Sequence, residues 1–253
     1  MSGINLSGKT IIVTGASKGI GRAIAEYAMQ NGAQVAVHYN SDAQGAEALV
    51  NQYHNGSKTF KANLANTEDV IALFKAIQQT YNTIDAIVLN AGVFLEHSSH
   101  STTDDWFKVW RQTMAINLDA VGLLTKLGIE QFRTQNDGRF IYIGSRATFR
   151  GETEEYLAYA ASKGGLTSLA RSVARSFGKE NIKAFVVSPG FTKTQMADQF
   201  IASYGEERII SEIALNELTQ PEDLAPLIGL MCSGQMDHAT GATIDVNAGS
   251  HIR

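Results

Sequence analysis

The sequence predicts an α/β fold: a doubly wound parallel sheet with helices on both faces. Three observations predict it. Short apolar, β-branched runs alternate with helix-periodic segments from one end of the 253-residue chain to the other. Those runs are apolar at successive positions, as in strands covered on both faces. A glycine-rich loop separates the first run from the first helical segment.

The elements follow in order. Thr10–Thr14 reads as a buried strand, and Gly15 opens its loop. Ile20–Asn31 is helical, with Ile20, Ala23, Ile24, Tyr27 and Ala28 at helical spacing and Asn31-Gly32 as its stop. Val35–Tyr39 is a strand, Ala43–Tyr53 a helix and Thr59–Ala62 a short strand. Thr67–Tyr81 is a helix with Thr67 as the expected N-cap and Val70, Leu73, Phe74 and Ile77 on one face. Ile84–Leu89 is a further strand. One long helix is expected over Asp104–Phe132, with Gly122 and Gly128 as its weak points. Then come strand Phe140–Ile143, helix Tyr156–Gly178, strand Ala184–Val187, helix Leu224–Met231 and strand Thr243–Val246. No repeat, low-complexity tract or linker interrupts the pattern, so residues 1–253 are expected to form a single domain.

Composition excludes several classes. At 44% hydrophobic and 18% charged, the chain resembles ordinary globular proteins. Its formal net charge of -4, with no basic cluster, argues against nucleic acid as a partner. No apolar stretch approaches the ~20 residues that span a bilayer, so no membrane is expected. The single cysteine, Cys232, leaves no intramolecular disulfide. The start of the chain lacks an apolar core of signal-peptide length, and a cytoplasmic location is the expectation.

Thr14-Gly15-Ala16-Ser17-Lys18-Gly19-Ile20-Gly21 lies between the first strand and first helix. Such a unit suits a dinucleotide: the glycines let backbone approach a pyrophosphate, and the helix start offers free N–H groups. An ordinary strand-to-helix turn is the competing reading of the loop alone. The spacing is Gly-x3-Gly-x-Gly, and here the sequence resembles the short-chain dehydrogenase/reductase family, whose members include 3-oxoacyl-carrier-protein reductases. The resemblance runs from about Leu6 to the C-terminus. It is carried further by Asn90-Ala91-Gly92, Asn117, Ser145, Tyr159-x3-Lys163, Pro189-Gly190 with Thr194, Pro221-Glu222-Asp223, and Gly241 with Asn247, all in the family's order. It implies a Rossmann-type sheet and a nicotinamide-dependent oxidoreductase.

Tyr159 and Lys163 are four apart in a predicted helix, hence on one face. A nearby ammonium is expected to lower the phenol's pKa from its ordinary ~10, fitting it for proton transfer. A surface Tyr/Lys pair is the competing reading of that spacing. The resemblance implies a catalytic set of Asn117, Ser145, Tyr159 and Lys163. Tyr159 would be the general acid/base and Ser145 would hold the substrate oxygen. Lys163 would bind the nicotinamide ribose, and Asn117 would keep a water behind it. Two departures stand out. The interval from Ser145 to Tyr159 is one residue longer than is common in the family. Tyr156 also precedes Lys163 by seven, as in enoyl reductases; it is expected to face substrate or to pack.

The cofactor is expected to be NADP rather than NAD. The second strand ends without a carboxylate at His38-Tyr39-Asn40-Ser41, whereas an acidic residue there would accept ribose hydroxyls and repel a 2′-phosphate. Lys18, Asn40 and Ser41 would reach that phosphate. The resemblance adds Gly15, Ser17, Ile20 and Gly21 at the pyrophosphate and Asn63 and Leu64 at the adenine. Asn90, Ala91 and Gly92 would lie under the adenine ribose, and Pro189, Gly190, Thr192 and Thr194 beside the nicotinamide, joined by Tyr159 and Lys163. Phe191–Leu218 corresponds to a substrate lid, with Phe200, Ile201, Tyr204, Ile209, Ile210 and Ile213 as its apolar content.

No metal site is expected. Glu96, His97 and His100 lie close in sequence, but on a polar loop that reads as a solvated turn. The long helices resemble those that pair relatives into tetramers, so a homotetramer is expected. The expected activity is interconversion of a carbonyl and a secondary alcohol by hydride transfer, acting on a small molecule. A 3-oxoacyl-carrier substrate would call for basic residues at the mouth of the site. Arg146 and Arg150 qualify, but Glu152, Glu154 and Glu155 dilute them. An NAD-linked sugar or small-alcohol dehydrogenase is the alternative enzyme. A non-catalytic dinucleotide-binding regulator on the same fold is the rival of another class.

Overall fold

The computed structural model describes residues 4–194, 197 and 205–253. Seven parallel strands form one sheet in the order β3-β2-β1-β4-β5-β6-β7, the Rossmann-type arrangement expected. They are β1 Thr10–Val13, β2 Gln34–Tyr39, β3 Lys58–Lys61, β4 Ala86–Leu89, β5 Gly138–Ile143, β6 Ile182–Pro189 and β7 Thr243–Val246. Every position of β1, β4, β5 and β6 is buried, as runs without alternation require.

Successive side chains leave a strand on opposite faces, so each strand feeds two cores. Ile12, Ile87 and Phe140 pack with α3 (Thr67–Thr80), α5 (Ala120–Gln135) and α7 (Leu157–Phe177). Ile11, Val13, Val88 and Ile141 pack on the other face with α1 (Gly19–Gln30), α2 (Ala43–Tyr53) and the last helix, Pro221–Ser233. The order of strands reverses between β1 and β4, where one crossover goes left and the next right. Loops at the carboxyl ends of those strands therefore part and leave a crevice.

Local details depart from the sequence reading. The N-cap of α3 is Asn66, whose side chain accepts from Asp69 N at 2.9 Å, not Thr67. The expected helix Asp104–Phe132 is continuous in direction but divides into α4 (Thr103–Met114), a π-helical turn Ala115–Asp119 and α5. The break is at neither Gly122 nor Gly128. The Gly128 site lies against Ile87 and Phe140, leaving no room for a side chain. Within the expected lid Phe191–Leu218, residues 195, 196 and 198–204, including Phe200, Ile201 and Tyr204, lie outside the described residues. Of its described part, Ile209 and Leu218 are buried, and Ala214 N donates to Ala248 O at 2.7 Å. No helix among the described residues is long and apolar enough to cross a membrane.

At the amino end of β5 and β6, away from the crevice, Arg139 is buried between two carboxylates. Its Nε and Nη2 donate to Asp237 at 2.8 and 2.7 Å, and Nη1 to Asp137 at 2.7 Å. Lys183 Nζ closes the network at 2.9 Å from Asp137. Removing one partner of such a cluster strands the others. Arg139→Met is therefore expected to cost about 3 kcal/mol. Calorimetry should show a Tm lower by roughly 6–12 °C; a Tm within a degree of wild type would contradict this reading.

Candidate active site

The crevice is a cavity of about 360 Å³ along the carboxyl ends of the strands. Each strand delivers a piece of its lining: Gly15 and Ser17 after β1, Asn40 and Ser41 after β2, Asn63 and Leu64 after β3. Asn90, Ala91 and Gly92 follow β4, Ser145 follows β5, and Gly190, Thr192 and Thr194 follow β6, which ends at Pro189. Lys18, Ile20, Tyr159 and Lys163 complete the set from α1, its approach and α7. Of the residues assigned from sequence, only Gly21 and Asn117 do not line the cavity, and both act from behind it.

The glycine loop is held to the sheet at three points. Thr14 Oγ1 accepts from Asn90 N and Ala91 N at 2.9 and 3.0 Å. Asn90 Nδ2 returns hydrogen bonds to Thr14 O at 2.9 Å and Gly15 O at 3.2 Å. Gly15 has φ +64°, and a Cβ on it would stand 3.0 Å from Ala91 Cα. A Cβ on Gly21 would collide with the Gly15 carbonyl and the Asn90 amide. Gly21 thus lets α1 start against the loop, which brings the helix N-terminus to the cavity.

His38 is the third fastening, and sequence reasoning missed it. It accepts Gly15 N–H at Nδ1 (3.0 Å), which leaves Nε2 to donate to Ala62 O at 3.1 Å. The neutral tautomer is the one these partners require. Burial also lowers its pKa to about 4. Nothing in a strand read as Val-His-Tyr signals that the ring turns toward the loop of the neighbouring strand. Beside it, Asp42, the first carboxylate after β2, caps α2 by accepting from Gly45 N at 3.0 Å.

At the other end of the cavity, Ser145, Tyr159 and Lys163 converge. Ser145 accepts from Ala147 N at 3.1 Å and shares a hydrogen bond with the Tyr159 hydroxyl. Lys163 is 4% exposed; its Nζ donates to Ile143 O at 2.7 Å and lies 5.8 Å from the Tyr159 ring centroid. Burial brings its pKa down to about 8. The expected depression of the Tyr159 pKa is not what this protein alone produces. Burial, opposed by the Ser145 hydrogen bond and helped by the Glu152 charge, pushes the phenol up to about 12. Desolvation is the largest cause of that shift.

Asn117 lies in the π-helical turn and is fully buried. Its amide clamps Val93, accepting from Val93 N at 2.8 Å and donating to Val93 O at 3.0 Å; it also donates to Ser162 Oγ at 3.1 Å. The extra residue of a π turn rotates one side chain out of helical register, a feature common at functional sites. Asn117 therefore fixes the strand-end segment Gly92-Val93 beside Lys163. Phe94 follows, stacked on Tyr156 at 3.8 Å and edge-on to Tyr159 at 4.7 Å. Tyr156 is thus packed, and Phe94 lines the cavity although the sequence did not single it out; Glu152, expected at the mouth, and Phe191, expected to begin the lid, line it too. His97 is buried in the body, where Nε2 accepts from Ala158 N at 3.1 Å and the ring meets Trp106.

These residues fit a dinucleotide. Glycine backbone that no Cβ could replace lies at one end. A buried ammonium and two hydroxyls lie at the other, with a largely apolar wall between. Comparison with known proteins agrees. A family model described as Enoyl-(Acyl carrier protein) reductase matches residues 15–251. The 3-oxoacyl-[acyl-carrier-protein] reductase FabG of Vibrio cholerae is 30% identical over 98% of this chain and all of its own length. A short chain dehydrogenase from Burkholderia cenocepacia, solved in complex with NADP, superposes with a TM-score of 0.87 at 28% identity, covering 97% of this chain and 99% of that one. A 3-oxoacyl (acyl-carrier-protein) reductase from Agrobacterium tumefaciens with NADP bound gives 0.87 at 25% identity, over 97% and 95%. The chain belongs to the short-chain dehydrogenase/reductase family of NAD(P)-dependent oxidoreductases.

Proposed function

We propose that this chain is an NADP-linked carbonyl reductase or secondary-alcohol dehydrogenase with Tyr159 as general acid/base. The observation that carries this reading is the convergence of Ser145, Tyr159 and Lys163 at one end of a cavity whose other end is the glycine loop. NADPH bound along the cavity supplies the hydride. Ser145 and Tyr159 would both present O–H groups to the substrate oxygen, which fixes the carbonyl in orientation. With its pKa near 12, Tyr159 holds its proton at neutral pH and gives it up as negative charge develops on that oxygen. Lys163, held by Ile143 O, then faces the phenolate left behind and stabilises it. Asn117 keeps Gly92-Val93 in place, and a water held behind Lys163 would restore the proton.

Preference for NADP rests on the end of β2. The carboxylate nearest it, Asp42, is engaged as a helix cap, while Lys18, Asn40 and Ser41 are exposed at the cavity edge. The NADP bound in relatives supports the same reading. We expect kcat/KM to be higher with NADPH than with NADH by roughly tenfold or more, and Lys18→Ala to reduce NADPH affinity while sparing NADH. A clear NADH preference in wild type would overturn it. A homotetramer remains our expectation. Phe107 on α4 and Leu157 on α7 leave large apolar side chains exposed that pairing of those helices would cover.

A further inference from the structure

The segment with the family-unusual length, between Ser145 and Tyr159, folds inward and brings two charged residues to the cavity. It forms a short helix α6 (Ala147–Arg150), turns at Gly151 with φ +83° and re-enters through a single 3-10 turn, Glu154–Tyr156. Arg146 and Glu152 both line the cavity, as Ser145 and Tyr159 do. The expectation that Arg146 could greet an acidic carrier at the mouth does not hold, because its side chain is only 5% exposed.

Arg146 is buried without an adequate acceptor. Its Nη1 has no hydrogen-bond partner among the described residues. Its nearest carboxylate, Glu212, is 3.9 Å from Nη2, beyond hydrogen-bonding distance. That carboxylate is already engaged, because Arg150 Nη1 lies 3.1 Å from the same oxygen. Glu152 makes no ion pair with Arg146 among the described residues; burial raises its pKa, and the Arg146 and Arg150 charges only partly oppose that push. The Arg146 guanidinium lies over the Phe191 ring, 4.7 Å from its centroid, and its backbone N–H donates to Pro189 O at 3.1 Å. The fork is therefore fixed in place in the wall of the cavity that Ser145 and Tyr159 also line. A buried guanidinium with an unmade hydrogen bond is costly unless a ligand completes it.

We propose that Arg146 is a substrate-specificity residue that binds the carboxylate of a small oxo acid, holding it beside the carbonyl that Ser145 and Tyr159 engage. The planar fork matches two carboxylate oxygens. Glu152, in the wall of the same cavity, offers a carboxyl to a hydroxyl on that substrate. A long apolar acyl chain finds neither partner there. This assignment names the substrate class of the oxidoreductase reading above and rests on it.

The test compares oxo acids with their methyl esters, acetoacetate against methyl acetoacetate and a 2-oxo acid against its ester, using NADPH and the full chain. Wild type should favour the acids in kcat/KM. Arg146→Met should lower the acid-to-ester ratio by roughly 30-fold or more, mostly through KM, and Arg146→Lys should retain part of it. Equal loss on acid and ester, or a wild-type preference for the esters, would overturn the proposal. Quenching of bound-NADPH fluorescence by the oxo acids reads the same contact without turnover. If no carbonyl is reduced, saturable quenching by the acids that Arg146→Met abolishes still supports the Arg146 site, whereas its absence refutes it. Missing turnover alone counts against the reductase reading only.

Discussion

Tyr159→Phe is expected to lower turnover roughly a hundred- to ten-thousand-fold while leaving NADPH affinity within about twofold of wild type. The substitution removes one oxygen. It keeps the ring that packs edge-on to Phe94 and takes away only the hydroxyl that meets Ser145. The carbonyl oxygen then has no acid to protonate it, and Ser145 cannot substitute because its own proton is far less acidic. The direction of pH dependence follows from the same geometry. A phenol near pKa 12 stays protonated through neutral pH, so reduction is supported there and alcohol oxidation, which needs the phenolate, rises with pH. Lys163 loses its charge as pH passes about 8, so reduction should decline above that point. Steady-state kinetics and cofactor fluorescence titration check both parts. Near-normal turnover in the variant would remove Tyr159 from the chemistry.

Gly21→Ala should have a comparably large effect, on binding instead. The added methyl has nowhere to go: it meets the Gly15 carbonyl and the Asn90 side chain, which are hydrogen-bonded to each other while Asn90 also holds Thr14 O. To make room, α1 must move away from the loop or Asn90 must leave it. Either change would spoil the backbone surface we propose to receive the pyrophosphate. We expect NADPH affinity to fall about a hundredfold or more, since a displaced loop loses several backbone contacts at once, and stability to fall by about 1–3 kcal/mol. Equilibrium titration and thermal melting separate the two. Wild-type affinity in a folded Gly21→Ala protein would show that the close approach is not required.

Much of the architecture was legible because a parallel sheet covered on both faces leaves uninterrupted apolar runs. Strands β1, β4 and β6 were found on that signal alone, with ends displaced by one or two residues. The helix caps were harder: Asn66 and Thr67 are both good caps, and only geometry selects Asn66. The π-helical turn at Ala115–Asp119 left no mark, because one extra residue barely disturbs an apolar stripe. The quartet we propose as catalytic was singled out by the joint order of its motifs, and the structure brings Ser145, Tyr159 and Lys163 to one cavity. What the sequence could not convey was direction. His38 points from β2 into the glycine loop, Arg146 points inward instead of toward solvent, and the burial of Tyr159 pushes its pKa up where the sequence suggested a depression.

NADPH consumption by the purified full chain across a panel of ketones and oxo acids, with the reverse reaction followed on the matching alcohols, decides whether the chain is a reductase. The account predicts turnover with at least one carbonyl, faster with NADPH than with NADH and lost in Tyr159→Phe. A protein that binds NADPH stoichiometrically yet turns over no member of the panel in either direction would contradict it, and would mark the fold as a dinucleotide-sensing regulator.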